Sequence, residues 1–296
     1  MSSVPSVIRM RFMTLGYLIG VGFVLSLHAE AAQPQTYPVT LTQGSRLLVS
    51  ARINGHPVEA LLDSAAEATL IDPGFARTLG LKSGTTVTAE GSGDAAFSAE
   101  LVKGVKIEAF GLTLKDQTVA LTPLSDVGQR LLHRELQVVL GREIFDAARL
   151  RIDIEGHTVT VLDRRSTPAG VQLQLTEEHG VETVPAQIEG SGSLRATFDL
   201  GNGSGVLVSA VCASQLHLLT DGRPVEQSRG GGLGGETARQ LFKLHTLRLA
   251  GREFHELPAS IDARPSASDL NVGIDVLRHY VITTDFAARS VWLQPR

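Results

Sequence analysis

The apolar positions of this chain come in short runs separated by turn residues, and the runs recur in the same order. In the first half, Arg52-Ile53-Asn54-Gly55 is followed by Val58-Glu59-Ala60-Leu61-Leu62-Asp63 and then by Ala68-Thr69-Leu70-Ile71. In the second, Gln187-Ile188-Glu189-Gly190 is followed by Leu194-Arg195-Ala196-Thr197-Phe198-Asp199 and then by Val206-Leu207-Val208. Each set reads as strand, glycine-containing turn, strand, aspartate, polar turn and strand. A short helix is predicted after each set. Asp72 and Ser209 suit its N-cap, Pro73 the first helical position, and Gly80 the end of the first helix.

The match resumes at the far end of each half. Val138-Val139-Leu140-Gly141-Arg142-Glu143-Ile144-Phe145 precedes Leu150-Arg151-Ile152-Asp153-Ile154, and Leu270-Asn271-Val272-Gly273-Ile274-Asp275-Val276-Leu277 precedes Val281-Ile282-Thr283-Thr284-Asp285-Phe286. The spacing agrees: 78 residues from Asp63 to Gly141, and 74 from Asp199 to Gly273. The chain therefore carries two copies of one β-rich unit. Asp163-Arg164-Arg165-Ser166-Thr167-Pro168-Ala169-Gly170 lies between them, with the composition of a linker. Inside each copy a glycine-rich stretch follows the helix, Gly91-Ser92-Gly93 in one and Gly230-Gly231-Gly232-Leu233-Gly234-Gly235 in the other.

Residues 1–31 precede the repeat and read differently. Arg9 and Arg11 lead into an apolar run from Phe12 to Leu27, and His28-Ala29-Glu30-Ala31 supplies small residues where a signal peptidase reads. The run is 16 residues long, short of the roughly 20 that span a bilayer. An export signal cleaved after Ala31 is expected, giving a periplasmic or secreted protein with no membrane contact after cleavage. An uncleaved membrane anchor is the alternative. The lone Cys212 excludes an internal disulfide framework and is expected to be a buried, inert thiol.

Composition narrows the function classes. The net charge of −4 leaves no basic stripe to neutralise phosphates, so nucleic acid is not an expected partner. Thirty glycines and only 5% aromatics fit many turns and short strands. The histidines form no metal-binding motif, so neither a metal nor an organic cofactor is expected. The tract Gly230–Gly235 lacks the Gly-Lys-Ser/Thr ending of a phosphate-binding loop, and Gly203-Ser204-Gly205 is not a nucleophile elbow. Asp153 and Asp285 are read as structural ion-pair or loop residues. Phe286 and Trp292 are read as core or lobe-interface residues.

A duplicated unit that ends a strand with aspartate can bring two carboxylates together across a pseudo-twofold axis. Such a pair holds one proton between its members, because both cannot ionise cheaply at close range. The ionised member can then activate water while the protonated one donates to a carbonyl oxygen.

On these residues the sequence resembles the retropepsin-like and pepsin-like aspartic proteases in a single-chain, two-lobed form, from about Leu47 to Leu293. Leu140-Gly141-Arg142-Glu143-Ile144-Phe145 is especially similar to the retropepsin segment that opens the terminal helix. The resemblance implies an all-β fold of two pseudo-twofold-related β-barrel lobes, residues 38–164 and 171–296, with short helices and a cleft between them. It implies Asp63 and Asp199 as the catalytic pair, in turns formed with Ser64, Ala65, Leu200 and Gly201. It also implies flaps at the two glycine-rich stretches. Gly91, Gly93, Gly231, Gly232 and Glu67 would then contact an extended peptide or protein substrate. Two lobes in one chain imply a monomer.

The family's turns read Asp-Thr-Gly or Asp-Ser-Gly, whereas here they read Asp63-Ser64-Ala65 and Asp199-Leu200-Gly201. Leu200 has no hydroxyl to send across to the other lobe, and Ala65 adds a methyl group where the family has glycine. Three readings follow. The first is an exported aspartic endopeptidase. The second is a relative that binds peptides without cleaving them. The third is a partner-binding module in which the duplication serves shape alone.

Overall fold

The strands form three sheets, and their order repeats the sequence repeat. The computed structural model describes residues 34–178, 180–264 and 268–296. The expected export signal, residues 1–31, lies outside the described residues. In the first half the strands Leu47–Ile53, His56–Leu62, Val138–Leu140, Leu70–Ile71, Leu112–Leu121 and Phe97–Ala109 are neighbours in that order. A pairing of Leu47–Ile53 with Phe97–Ala109 closes them into a ring. In the second half Val181–Ile188, Leu194–Phe198, Leu270–Val272, Val206–Ser209, Arg252–Asp262 and Thr237–Leu249 do the same, closed by pairing of Val181–Ile188 with Thr237–Leu249. The fold is thus all-β, with two rings of one topology and short helices between strands.

Each ring encloses an apolar core. Alternation along Leu47–Ile53 turns Leu47, Val49, Ala51 and Ile53 inward, where all are buried. Ile188, Ala196, Phe198 and Val208 fill the second ring. The helix Pro73–Thr78 is capped by the Asp72 side chain, which accepts from Gly74 N–H at 2.7 Å, with Pro73 at its first position. The helix Ala210–Gln215 is capped by Ser209 Oγ, which accepts from Cys212 N–H at 3.1 Å. Cys212 is buried and its thiol is pushed up to about 11 by that burial, so it stays protonated and unreactive.

A third sheet joins the halves. Its six strands run Thr36–Pro38, Thr158–Leu162, Arg149–Asp153, Tyr280–Asp285, Ser290–Pro295 and Val171–Gln174. The central contact is between the halves: Leu150 pairs with Thr284 and Ile152 with Ile282, antiparallel. The segment 163–170 connects two strands of this sheet. Asp285 is fully buried and pairs with Arg149 at 3.1 Å and Arg164 at 3.4 Å, and Asp153 pairs with Arg296. Phe286 stacks on Phe145 of the first half, centroids 5.0 Å apart, while Arg149 lies over the Trp292 ring. Glu182, buried in the second half, is bridged by Arg142 of the first half and by Arg289. Among the described residues no helix is long and apolar enough to cross a membrane.

Candidate active site

Each aspartate is placed by the short strand that runs into the late glycine segment of its own half. In the first half Val138–Leu140 lies between His56–Leu62 and Leu70–Ile71, and Asp63 N–H donates to Leu140 O at 3.0 Å. In the second, Leu270–Val272 lies between Leu194–Phe198 and Val206–Ser209, and Asp199 N–H donates to Val272 O at 3.2 Å. The chain then turns under each carboxylate. Asp63 Oδ1 accepts from Ala65 N–H at 2.8 Å. Asp199 Oδ1 accepts from Gly201 N–H at 2.8 Å and Asn202 N–H at 2.9 Å.

The two turns meet. The Asp63 carboxylate lies so close to Gly201 that a Cβ at residue 201 would collide with all three of its outer atoms. Glycine is required there by contact with the opposite half, not by an unusual backbone angle. Ala65, at the matching position, has no positive φ, so alanine fits that turn without backbone strain. Ser64 is buried and reaches across the halves: its Oγ donates to Phe198 O at 2.8 Å and accepts from Leu200 N–H at 2.9 Å. Leu200 is fully buried and makes no return hydroxyl bond, so the lock between the turns is one-sided.

The surroundings make the two carboxylates unequal. Asp63 is held up to about 7, first by burial and then by the neighbouring negative charge of Asp199, against which Arg46 and the turn amides pull down. Asp199 is also raised by burial, but the donors around it oppose this, Asn271 most of all. Asn271 Nδ2 donates to Asp199 Oδ2 at 2.6 Å, and Asn271 Oδ1 accepts from Asn202 Nδ2 at 2.7 Å, which fixes the amide's orientation. The matching residue in the first half is the apolar Val139, so Asp63 has no such donor. Asp199 is therefore the better-stabilised anion, and Asp63 is the better place for a proton.

The glycine-rich stretches of the two halves meet each other. They are tips of the hairpins Thr85–Ala89 with Phe97–Ala109, and Glu226–Gly230 with Thr237–Leu249. The tips bond to each other: Gly93 N–H donates to Leu233 O at 2.8 Å and Ala95 N–H to Gly234 O at 3.0 Å. Gly232 lies against Ser92. An arginine from each half also reaches the opposite hairpin. Arg264 donates to Gly91 O at 2.7 Å, and Arg130 donates to Gly231 O at 3.2 Å and Gly232 O at 2.9 Å. Leu233 seats on an apolar cluster of the first half that includes Leu48, Leu61, Val127 and Val139. A cavity of about 360 Å³ lies beside it, lined by Phe97, Thr122, Val127 and Gly234 among others.

Of the residues singled out from the sequence, Asp63, Ser64 and Gly201 meet across the halves, and Gly91, Gly93, Gly231 and Gly232 meet in the hairpin tips. Glu67 is exposed, with its side chain against Gly180 of the second half. Sequence reasoning passed over Asn271, Arg46, Arg130 and Arg264. Asn271 did carry a signal, being the one polar residue in the run Leu270-Asn271-Val272 where the first half has Val138-Val139-Leu140. Arg130 and Arg264 carried none for their place at the hairpins, because the hairpin carbonyls they reach are remote in sequence.

No curated protein matches the chain. Residues 49–144, which span the first aspartate turn, the first hairpin and the strand before Gly141, match the family model described as aspartyl protease. That match, with the closed strand rings, supports a likeness to the retropepsin-like aspartic proteases.

Proposed function

We propose that the protein is an exported aspartic endopeptidase in which Asp63 and Asp199 share one proton and activate one water for attack on a peptide bond. The observation that carries this reading is the meeting of the two aspartate turns, with the Asp63 carboxylate against Gly201 and Ser64 bonded to both Phe198 and Leu200. In the first step Asp199, ionised, takes a proton from the water as its oxygen bonds to the peptide carbonyl carbon. Asp63 gives its proton to the carbonyl oxygen, leaving a neutral gem-diol. In the second, Asp199 passes its proton to the amide nitrogen, the C–N bond breaks, and Asp63 regains a proton from the gem-diol. The hairpin tips would part to admit an extended peptide and close over it to exclude water.

The experiment is cleavage of an unfolded protein at mildly acidic pH, with and without a peptide mimic bearing a central hydroxyl. Cleavage blocked by the mimic supports the peptidase. Peptide binding without cleavage supports the second reading, a relative that has lost the reaction, which the missing hydroxyl at Leu200 favours. Export is supported by the pattern of residues 1–31. It predicts a mature protein whose first residue is Ala32, read by N-terminal sequencing.

Asn271 gives a prediction specific to the roles of the two carboxylates. Asn271→Val installs the first half's residue and removes the donor to Asp199 Oδ2. A hydrogen bond to a charged group contributes about 1.5–3 kcal/mol, so kcat/KM is expected to fall by roughly tenfold or more. The acidic limb of its pH profile is expected to move upward, because Asp199 becomes harder to ionise. A fall in activity with an unmoved limb would mean that Asn271 acts only on structure.

A further inference from the structure

Arg46, a cation beside the site, has no ion-pair partner among the described residues. It ends the turn before Leu47–Ile53; its backbone N–H donates to Thr42 Oγ1 at 3.0 Å and its Nη1 to Gly44 O at 2.8 Å. The guanidinium is partly buried against the second half, where a Cβ on Gly203 would stand 2.8 Å from Nη1 and 3.1 Å from Cζ. It is near enough to feel the charge of both aspartates, Asp199 before Asp63, yet burial pulls its pKa below the usual arginine value. Among the described residues, Gly44 O is the single acceptor its guanidinium meets.

The neighbouring arginines are occupied. Arg264 is held by both oxygens of Asp262 and by Gly91 O, and Arg130 by Asp126 and the carbonyls of Gly231 and Gly232. Arg46 alone of these three keeps most of its planar fork of N–H donors unused. Such a fork matches the two oxygens of a carboxylate.

We infer that Arg46 forms a subsite for a carboxylate of the bound peptide, so that the cleft selects peptides with an acidic group near the bond to be cut. The inference rests on the peptidase reading of the site. A carboxylate there completes the hydrogen bonding of Arg46 and offsets the cost of holding that cation away from water. It could come from an Asp or Glu side chain or from the peptide's own C-terminus, and the chemistry of recognition is the same.

The test uses matched peptides: one set differing only by Glu or Gln at positions flanking the cleaved bond, another only by a free or amidated C-terminus. The quantity read is the ratio of kcat/KM for the acidic over the neutral member, measured for the wild type, Arg46→Gln and Arg46→Lys. A ratio within each protein cancels any effect of the Arg46 charge on the aspartates themselves. The expected ratio is about tenfold or more in the wild type, near one in Arg46→Gln, and intermediate in Arg46→Lys, which keeps the charge but not the fork. The set that shows the ratio identifies the source of the carboxylate. A wild-type ratio near one in both sets overturns the inference, as does a ratio that survives in Arg46→Gln. If no peptide is cleaved, the peptidase reading fails, and the subsite is judged by binding of the same peptides. An acidic preference lost in Arg46→Gln then supports it, and equal binding overturns it.

Discussion

Asp199→Asn and Asp63→Asn are each expected to lower kcat/KM for peptide cleavage by roughly a hundred- to ten-thousandfold, the range that positioned proton transfer contributes. Neither amide can complete the cycle, since an asparagine at 199 cannot take the proton of the water and one at 63 cannot release its own. The two variants should differ in stability, which separates loss of chemistry from loss of fold. Asp63→Asn keeps an oxygen to accept from Ala65 N–H and removes a carboxylate that is costly to ionise in place. Asp199→Asn can still accept from Gly201 and Asn202, but its new amide nitrogen would face the donating Asn271 Nδ2, so it should cost about 1–2 kcal/mol.

The pH dependence of that comparison has a definite sign. Asp63 is raised in the folded protein, to about 7 from an ordinary 3.8. Its contribution to stability is therefore fully present below the unfolded value and is lost as pH rises through about 7. Asp63→Asn has no such loss. Its thermal midpoint should gain on the wild type as pH rises across that window, by an amount equivalent to roughly 1–2 kcal/mol once partial exposure is allowed for. Midpoints that stay parallel across the window would contradict the raised pKa.

The second large effect is on the bond between the turns. Ser64→Ala is expected to destabilise the protein by about 2–4 kcal/mol, because it strands two buried backbone groups at once. Phe198 O loses its donor and Leu200 N–H its acceptor, and Leu200 supplies no hydroxyl that could bridge the turns in the other direction. Activity should fall further than stability alone requires, since the same bonds set the approach of the two carboxylates. Ser64→Thr keeps the hydroxyl and should keep most of both. A urea midpoint unchanged in Ser64→Ala would remove Ser64 from this role.

Much of this architecture is visible in the chain itself, and the reason is the duplication. A single Asp after a strand is ordinary, but Asp63 and Asp199 recur with matched strands before them and matched glycine segments after them, and that context marks them out. The helix caps Asp72 and Ser209 were legible because capping is a local interaction between a side chain and an amide two or three residues on. The hairpins were legible from their glycines, although their mutual hydrogen bonds were not.

What the chain conceals is contact between distant segments. The strands Thr36–Pro38 and Val171–Gln174 lie at the edges of the joining sheet, are largely exposed, and carry no inward-facing stripe to announce them. Arg264 is 173 residues from Gly91, and Arg130 is 101 and 102 from Gly231 and Gly232, so no spacing rule connects them. Glu67 likewise lies against Gly180 of the second half, a contact that its nearness to Asp63 in sequence does not announce.

The claim that carboxylates from the two halves act as one acid–base pair is tested most directly by a carboxyl-carbon NMR titration of the protein labelled in aspartate, compared with Asp199→Asn. The expected result is an Asp63 signal that titrates near 7 in the wild type and at lower pH in Asp199→Asn, where the neighbouring charge is gone. An Asp63 that titrates in the ordinary carboxylate range, and does not move when Asp199 is replaced, would contradict it.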